Sequence, residues 1–565
     1  MLPLPALAQS LIVPDDTLGD ERSQVLEDFG TFDGQPVEVI QGGARRGQNL
    51  FHSFEEFNVD DGRGAFFFSP ADTETIFSRV TGNNPSNILG VLGTFGDALP
   101  DLFFINPNGI IFGENATLVL DGSFVATTAD AIQFGERGFF SANTPEAPSE
   151  LLTIDPSAFL FSQPSPGDIL NTAVEPVVGL RVPDGRSLIL LGGNVTLDAS
   201  QAPEAGDGGV SALGGRVELG GLLGTGTVGL DIEGDLFSLT FPQDVPRANV
   251  SIVNGAGVNA INISDGDGGA IAIRGNNIDI LGESILLSGI SASFENPDGQ
   301  SGDVIIDATG DITIADNSQI NNSVAGLGDS GDIRITASSV TISDGSVVSA
   351  VFGEGDSGIV SIAASDALTM TGGGTNIAST VSSFTLPGFP TIPATGGEGE
   401  INFEARQIII EDGPLIATTS ISGEADVGNV SLAATESIRL DGAATNIQSA
   451  TSGQGDAGNI VITAPVLEVL NGASLFAVAD DGSIGDAGDV IITASDRVTF
   501  SGFVDGEIAD SIVSTVEVGA VGNGGSVMIT TGNLELLDGS QIQTSTSGQG
   551  NAGRVALTAR DRITI

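Results

Sequence analysis

Short alternating runs of polar and apolar residues, each opened by a glycine, fill the C-terminal half of the chain. They follow Gly269, Gly302, Gly331, Gly358, Gly399, Gly428, Gly458, Gly488, Gly525 and Gly553, at intervals of 33, 29, 27, 41, 29, 30, 30, 37 and 28 residues. A period of two within each run predicts a half-buried β-strand. Ten copies spaced near 30 residues predict a solenoid. In one copy, Asp332–Thr336 alternates, Val340–Ser343 follows, Asp344-Gly345 turns, and Ser346–Val351 makes a third strand before Gly353–Gly358. Three strands and three turns make one coil of a three-faced parallel β-helix. Ile333, Ile335 and Ile342 are expected to point inward and stack on neighbouring coils at about 4.8 Å per rung. No helical period competes, which sets aside helix-based repeats.

Two intervals are long. The 41-residue one contains Phe384 to Pro393 and the 37-residue one contains Phe500 to Ile512. Extra residues in a solenoid are expected to leave as surface loops. The N-terminal region is different: 19 of the 29 Phe precede residue 162, including Phe66-Phe67-Phe68 and Phe103-Phe104. Dense aromatics predict a compact core there, whereas small β-branched residues between glycines predict a narrow, repetitive one later.

Composition narrows the function classes. There are 73 acidic residues against 18 basic ones, all 18 of them Arg, giving a net charge of −55. Such a chain repels phosphate backbones and anionic headgroups, so nucleic acid is excluded as a partner. There is no Cys and one His, which removes disulfides, thiolate chemistry and Cys-based zinc sites. No run of about 18 apolar residues is present, so no membrane-spanning helix is expected. The opening Met1-Leu2-Pro3-Leu4-Pro5-Ala6-Leu7-Ala8 ends in the A-x-A pattern of a signal-peptidase site, and residues 1–8 are read as the remnant of a signal peptide. Arg562–Ile565 falls in mid-repeat, so a truncated C-terminus is expected.

Four stretches in the N-terminal region share a theme: Asn49–Phe54, Phe57-Asn58-Val59, Arg79–Gly90 and Phe103–Gly113. Together they resemble the N-terminal domain of filamentous haemagglutinin, the secretion domain of two-partner secretion exoproteins. Leu236–Asn259 and the later glycine repeats are similar to cyanobacterial members. The resemblance implies a right-handed parallel β-helix with a capped N-terminal secretion domain over residues 9–165. A β-helix continuation over 166–265 and repeats of about 30 residues over 266–565 would follow. It further implies recognition in the periplasm by an outer-membrane transporter with periplasmic docking domains, and then export to the medium or cell surface. The family motif NPNGI matches Asn106, Pro107, Asn108, Gly109 and Ile110 in full. The nearest match to its second motif, NPNL, is Asn84, Pro85, Ser86 and Asn87, which departs at the last two positions. Ser78 stands where relatives carry Asn. Independently of any family, Asn-Pro-Asn-Gly is turn chemistry: Pro fixes φ, Asn side chains bond nearby backbone, and Gly accepts positive φ.

Catalysis and metal binding are weaker readings. His52 sits in an apolar string and is read as structural, and one such His cannot supply a Ser-His-Asp arrangement. Asp265-Gly266-Asp267, Asp456, Asp486 and Asp489 could offer oxygen ligands to calcium. The calcium-binding β-roll repeats every nine residues, however, so these are read as turn-forming. No cofactor is expected. The sequence therefore predicts a non-enzymatic, adhesin-like exoprotein with a possible cell-surface or glycan ligand. A β-helical polysaccharide-active enzyme and a structural outer-layer component stand as the alternatives.

Overall fold

The computed structural model describes residues 10–174, 179–264, 266–293, 296–385, 391–397, 399–504, 507–508 and 510–565. The signal-peptide remnant at residues 1–8 lies outside them. The fold is all-β, the right-handed parallel β-helix expected from the sequence. Among the described residues the helical content is one 3-10 turn, Gly19–Glu21, and no helix is long and apolar enough to cross a membrane. The chain divides into two compact units. One holds the residues up to Ala260 with Ile271–Ile285, the other Ile261–Ala270 with Leu286–Ile565.

In the C-terminal unit each coil stacks in register on the next. Ile335 pairs with Ile306 on one side and Ile362 on the other, and Ile342 lies between Ile314 and Met370. Ile333, Ile335 and Ile342 are buried as expected. From Ile401–Glu411 onward the first two strands of a coil fuse into one long strand with a bulge at the corner, as in Val430–Asp441, Ile460–Leu470 and Val490–Ser501. The three faces read from the sequence thus become two sheets here, one of them bent.

The corner glycines follow from the rung spacing. A Cβ on Gly458 would lie 2.1 Å from the Gly428 carbonyl oxygen, and one on Gly488 would lie 1.9 Å from that of Gly458. Any side chain there would wedge successive coils apart. A column of small polar residues runs inside the same coils, pairing Asn322, Ser349, Ser379, Thr418 and Ser449 in register. Several of its members serve glycine carbonyls: Asn322 donates to Gly302 at 2.9 Å and Ser379 to Gly358 at 3.2 Å, as Ser514 does further on to Gly488 at 2.9 Å, whereas the Thr418 and Ser449 hydroxyls have no partner among the described residues. Buried carbonyls need donors, and these hydroxyls and amides supply them.

The acidic turns are tied in the same way. Asp426 Oδ1 accepts the Asp456 backbone N–H at 2.9 Å, Asp456 that of Asp486 at 2.7 Å, and Asp486 that of Asn523 at 2.6 Å. A second column joins Asn459 to Asp489 at 2.8 Å and Asp489 to Ser526 at 2.6 Å. Asp267 accepts from the Gln300 N–H at 3.1 Å, while Asp265 lies outside the described residues. Each long interval leaves the coil as an antiparallel excursion. Phe384 bridges Ile392 across residues 386–390, which lie outside the described set, and Phe503–Val504 pairs with Glu507–Ile508.

The N-terminal unit has two apolar cores. Strands Asn49–Asn58, Thr75–Val80, Asp101–Ile105 and Phe124–Thr127 stack in parallel, and alternation gives each of them two faces. The inward face carries His52, Ser78, Phe104 and Ala126. The outward face carries Phe51, Phe77, Phe103 and Val125, with ring centroids 5.1 Å and 5.0 Å apart between successive phenylalanines. An antiparallel sheet of Ala131–Gln133, Phe139–Ser141, Ala158–Phe161, Gly226–Glu233 and Leu236–Thr240 closes over that column. At the first coil, Leu11–Pro14 caps the stack by pairing antiparallel with Asn49–Asn58.

Candidate functional site

The four stretches singled out in the sequence stack on one another. Asn49–Asn58 and Asp101–Ile105 flank Thr75–Val80 on either side. Ile110–Phe112 pairs with Ser86–Ile88, Ile110 opposite Ser86 and Ile111 opposite Asn87. The turn at Asn106–Gly109 therefore lies directly beside the turn at Asn84-Pro85, one coil apart.

Asn106 organises both turns. Its fully buried carboxamide donates from Nδ2 to the Asn84 carbonyl and to Ser86 Oγ, each at 3.0 Å. Its Oδ1 accepts the Asn108 backbone N–H at 3.0 Å, an Asx turn that Pro107 preorganises. Asn108 donates from Nδ2 to the Gly82 carbonyl at 2.8 Å. The Ser86 N–H donates to the Gly109 carbonyl at 3.0 Å. Gly109 has φ +122°, and a Cβ there would meet the Asp168 carbonyl oxygen at 3.1 Å, so the position requires glycine on both counts. The next coil completes the frame: the Gly167 N–H donates to Pro107 and the Ile110 N–H to Asp168.

Exposure sorts the residues. Asn106, Pro107, Gly109, Ile110 and Ser86 are buried, Asn87 is half-buried, and Asn84, Pro85 and Asn108 face solvent. Asn58, from a third of the four stretches, accepts both the backbone N–H and Nδ2 of Asn87 at 2.9 and 3.0 Å. Asn58 and Gly82 lie in stretches the sequence singled out, but their parts in this site, like that of Asp168, were not foreseen. Only register reveals them, since each lies more than 20 residues from its partner.

Beneath the cap lies a buried cation, also missed. Arg79 is 0 % exposed; it donates to Ser53 Oγ at 2.9 Å, Thr17 Oγ1 at 2.7 Å, and the carbonyls of Ser141 and Glu146 at 2.8 and 2.9 Å. Its guanidinium lies 4.3 Å from the Phe140 ring centroid. Burial pulls its pKa down to about 10, partly opposed by Asp15. Burial pushes the Asp15 carboxyl up, but hydrogen bonds from Thr17, Thr81 and Ser53 outweigh it and hold the carboxyl below its ordinary value. This cluster ties the first coil, the strand at 75–80 and the loop at 141–146 together.

His52 is fully buried among Phe54 and Phe67, with Nδ1 3.0 Å from Ser23 Oγ, and burial lowers its pKa to about 3. It is neutral and sealed from solvent, in a position where a general base cannot work. Ser78 is buried above it, its hydroxyl without a partner among the described residues. A cavity of about 410 Å³ opens near Thr75, Asp101, Asp155, Arg186 and Asp235. Burial pushes the Asp101 carboxyl up to about 6, although it accepts the Ser123 N–H at 2.6 Å. Among the described residues no group of three or more His, Cys, Asp or Glu is placed to hold a metal ion.

The N-terminal unit is thus a β-helix with an antiparallel sheet closed over its first coils, and the four stretches stack within it. Residues 10–273 match the family model of the TPS secretion domain. Among solved structures it is similar to the HMW1 secretion domain from Haemophilus influenzae, with 18% identity over 82% of this chain and 97% of that one, at a TM-score of 0.45. It is also similar to a filamentous haemagglutinin secretion domain, with 14% identity over 74% and 99% of the two chains, at a TM-score of 0.26. No curated protein matches it. A TPS secretion domain implies an exoprotein carried across the outer membrane by two-partner secretion, with a transporter as its partner.

Proposed function

We propose that the paired turns at 84–87 and 106–110 are the surface that the outer-membrane transporter reads, and that the exported chain serves at the cell surface as a non-enzymatic, adhesin-like protein. One observation carries the first half. Asn106 holds the two turns together from inside, while Asn84, Pro85 and Asn108 are left facing solvent side by side. Solvent-facing amides on a rigid frame suit recognition better than a loop would. The adhesin role is supported by the repeat body itself. Its coils offer a long lateral surface, and the one histidine is out of reach of any substrate. The test is export with the transporter co-expressed: deleting Asn106–Ile110 should abolish appearance in the medium, and unchanged export would refute the assignment.

A polysaccharide-active enzyme has one observation in its favour, the Asp101 carboxyl raised to about 6 beside a cavity. Turnover of a polysaccharide that is lost in Asp101→Asn would replace the adhesin reading. Binding to cells or glycans without turnover would support it.

A further inference from the structure

The C-terminal unit has one face unlike the rest of this acidic chain. Eight strands, Gln319–Leu327, Ser346–Glu354, Asn376–Ser382, Leu415–Ile421, Asn446–Thr451, Ser474–Ala479, Asp510–Val516 and Gln541–Thr546, stack in parallel as successive rungs of one sheet. Within them the only ionisable residues are Glu354 and Asp510, both at strand ends. Their inward positions are the apolar and hydroxyl columns already described. Their outward positions carry amides, hydroxyls, small apolar residues and a few large ones: Phe352 is 38 % exposed and Ile421 46 %. A hydroxyl pair links coils across the face, Thr380 with Thr419 at 3.0 Å, whereas the outward Ser511, Val513 and Thr515 of the seventh strand are buried. By contrast, the long strands of the other sheet place Glu404, Arg406, Glu436 and Arg439 outward, the last three in ion pairs such as Arg406 with Asp366 at 2.6 Å.

We infer that this neutral face is where two copies of the chain meet, sheet against sheet. With a net charge of −55, two copies repel one another over most of their surface. A face free of charge is the place where contact avoids burying like charges. Its size fits. The six strands from Gln319 to Ala479, at about 4.8 Å apart and about six residues of about 3.3 Å each, give roughly 570 Å² per copy, or roughly 1,150 Å² in all. A specific interface is expected to clear about 1,000 Å². Flat faces of small and β-branched residues pack on one another at about 10 Å in β-sandwiches, and a two-fold axis would let the same residues serve both sides. A neutral polysaccharide is the competing occupant. The face holds neither Trp nor Tyr to stack on sugar rings, because the chain has none.

Sedimentation equilibrium of the full chain tests this, at low salt and at about 0.5 M salt, where surface repulsion is screened. A dimer that tightens as salt rises is expected. The double substitution Thr380→Glu with Thr419→Glu should weaken it about tenfold or more, since it sets like charges opposite one another. Thr463→Glu, on the charged sheet, should leave it unchanged, with all three proteins giving the same β-sheet circular dichroism. A wild-type chain that stays monomeric at high salt overturns the inference whatever the variants do. So does a dimer indifferent to the double substitution, or a monomer that binds a neutral glucan through this face.

Discussion

The two units bury their apolar residues in different places. In the N-terminal unit the parallel coils are apolar on both faces at once, with Phe51, Phe77 and Phe103 facing outward beneath an added antiparallel sheet. In the C-terminal unit parallel files of Ile, Val and Leu, with one of Ser, Thr and Asn, fill the interior, and the outer faces carry no added sheet of this kind. The first design is held by irregular, long-range contacts that exist once, such as the Arg79 cluster. The second is held by contacts that recur from rung to rung, such as the glycine corners and the Asp column. A transporter must recognise one place on the chain, and a unique structure provides one. A repeat body can be lengthened coil by coil without altering it.

This contrast can be broken in order of expected effect. Arg79→Ala removes a buried cation that five groups depend on, and should cost about 3–5 kcal/mol by chemical denaturation, in the transition of the N-terminal unit. Acid should act on the same unit. His52 is held neutral in the folded state with a pKa near 3, whereas the unfolded chain takes up its proton near the ordinary 6.5. Its contribution is therefore complete above that pH and lost as pH falls toward about 3, by up to about 4 kcal/mol at pH 3.5. His52→Leu should flatten the fall in stability over that window, and an unchanged pH profile would rule His52 out as its cause.

In the C-terminal unit the effects should be smaller and interchangeable between coils. Gly488→Ala should cost about 1–3 kcal/mol by forcing two coils apart, with a similar value at Gly458. Ile462→Val, at a position stacked between Leu432 and Ile492, should cost about 0.5–1.5 kcal/mol. Widely different costs at equivalent glycines would show that the rungs are not equivalent.

The repetitive half of the fold was legible because each of its features recurs. Alternation located Ile333, Ile335 and Ile342 inside, and the glycine spacing gave the coil length. Alternation alone does not say what covers a face. Phe51 and Phe77 read as strand residues whether they face the interior or a second sheet, so the aromatic column outside the coil was hidden. The inward Ser349, Ser379 and Thr418 were hidden for the converse reason, since polar residues ordinarily mark the solvent side. At the candidate site, Asn106–Ile110 and Asn84–Asn87 were found as words. That they are neighbours depends on the register of Ile110 with Ser86, which no local pattern encodes.

The most direct test of the account separates the turn as structure from the turn as signal. Asn108→Ala removes an exposed amide with hydrogen bonds to the Gly82 carbonyl and to Asn106 Oδ1, so the folded protein should lose about 1–2 kcal/mol. Export with the transporter present should nonetheless fall sharply, measured as protein in the medium against protein retained in the cell. Full export of this variant, with its thermal stability intact, would contradict the claim that the transporter reads these stacked turns.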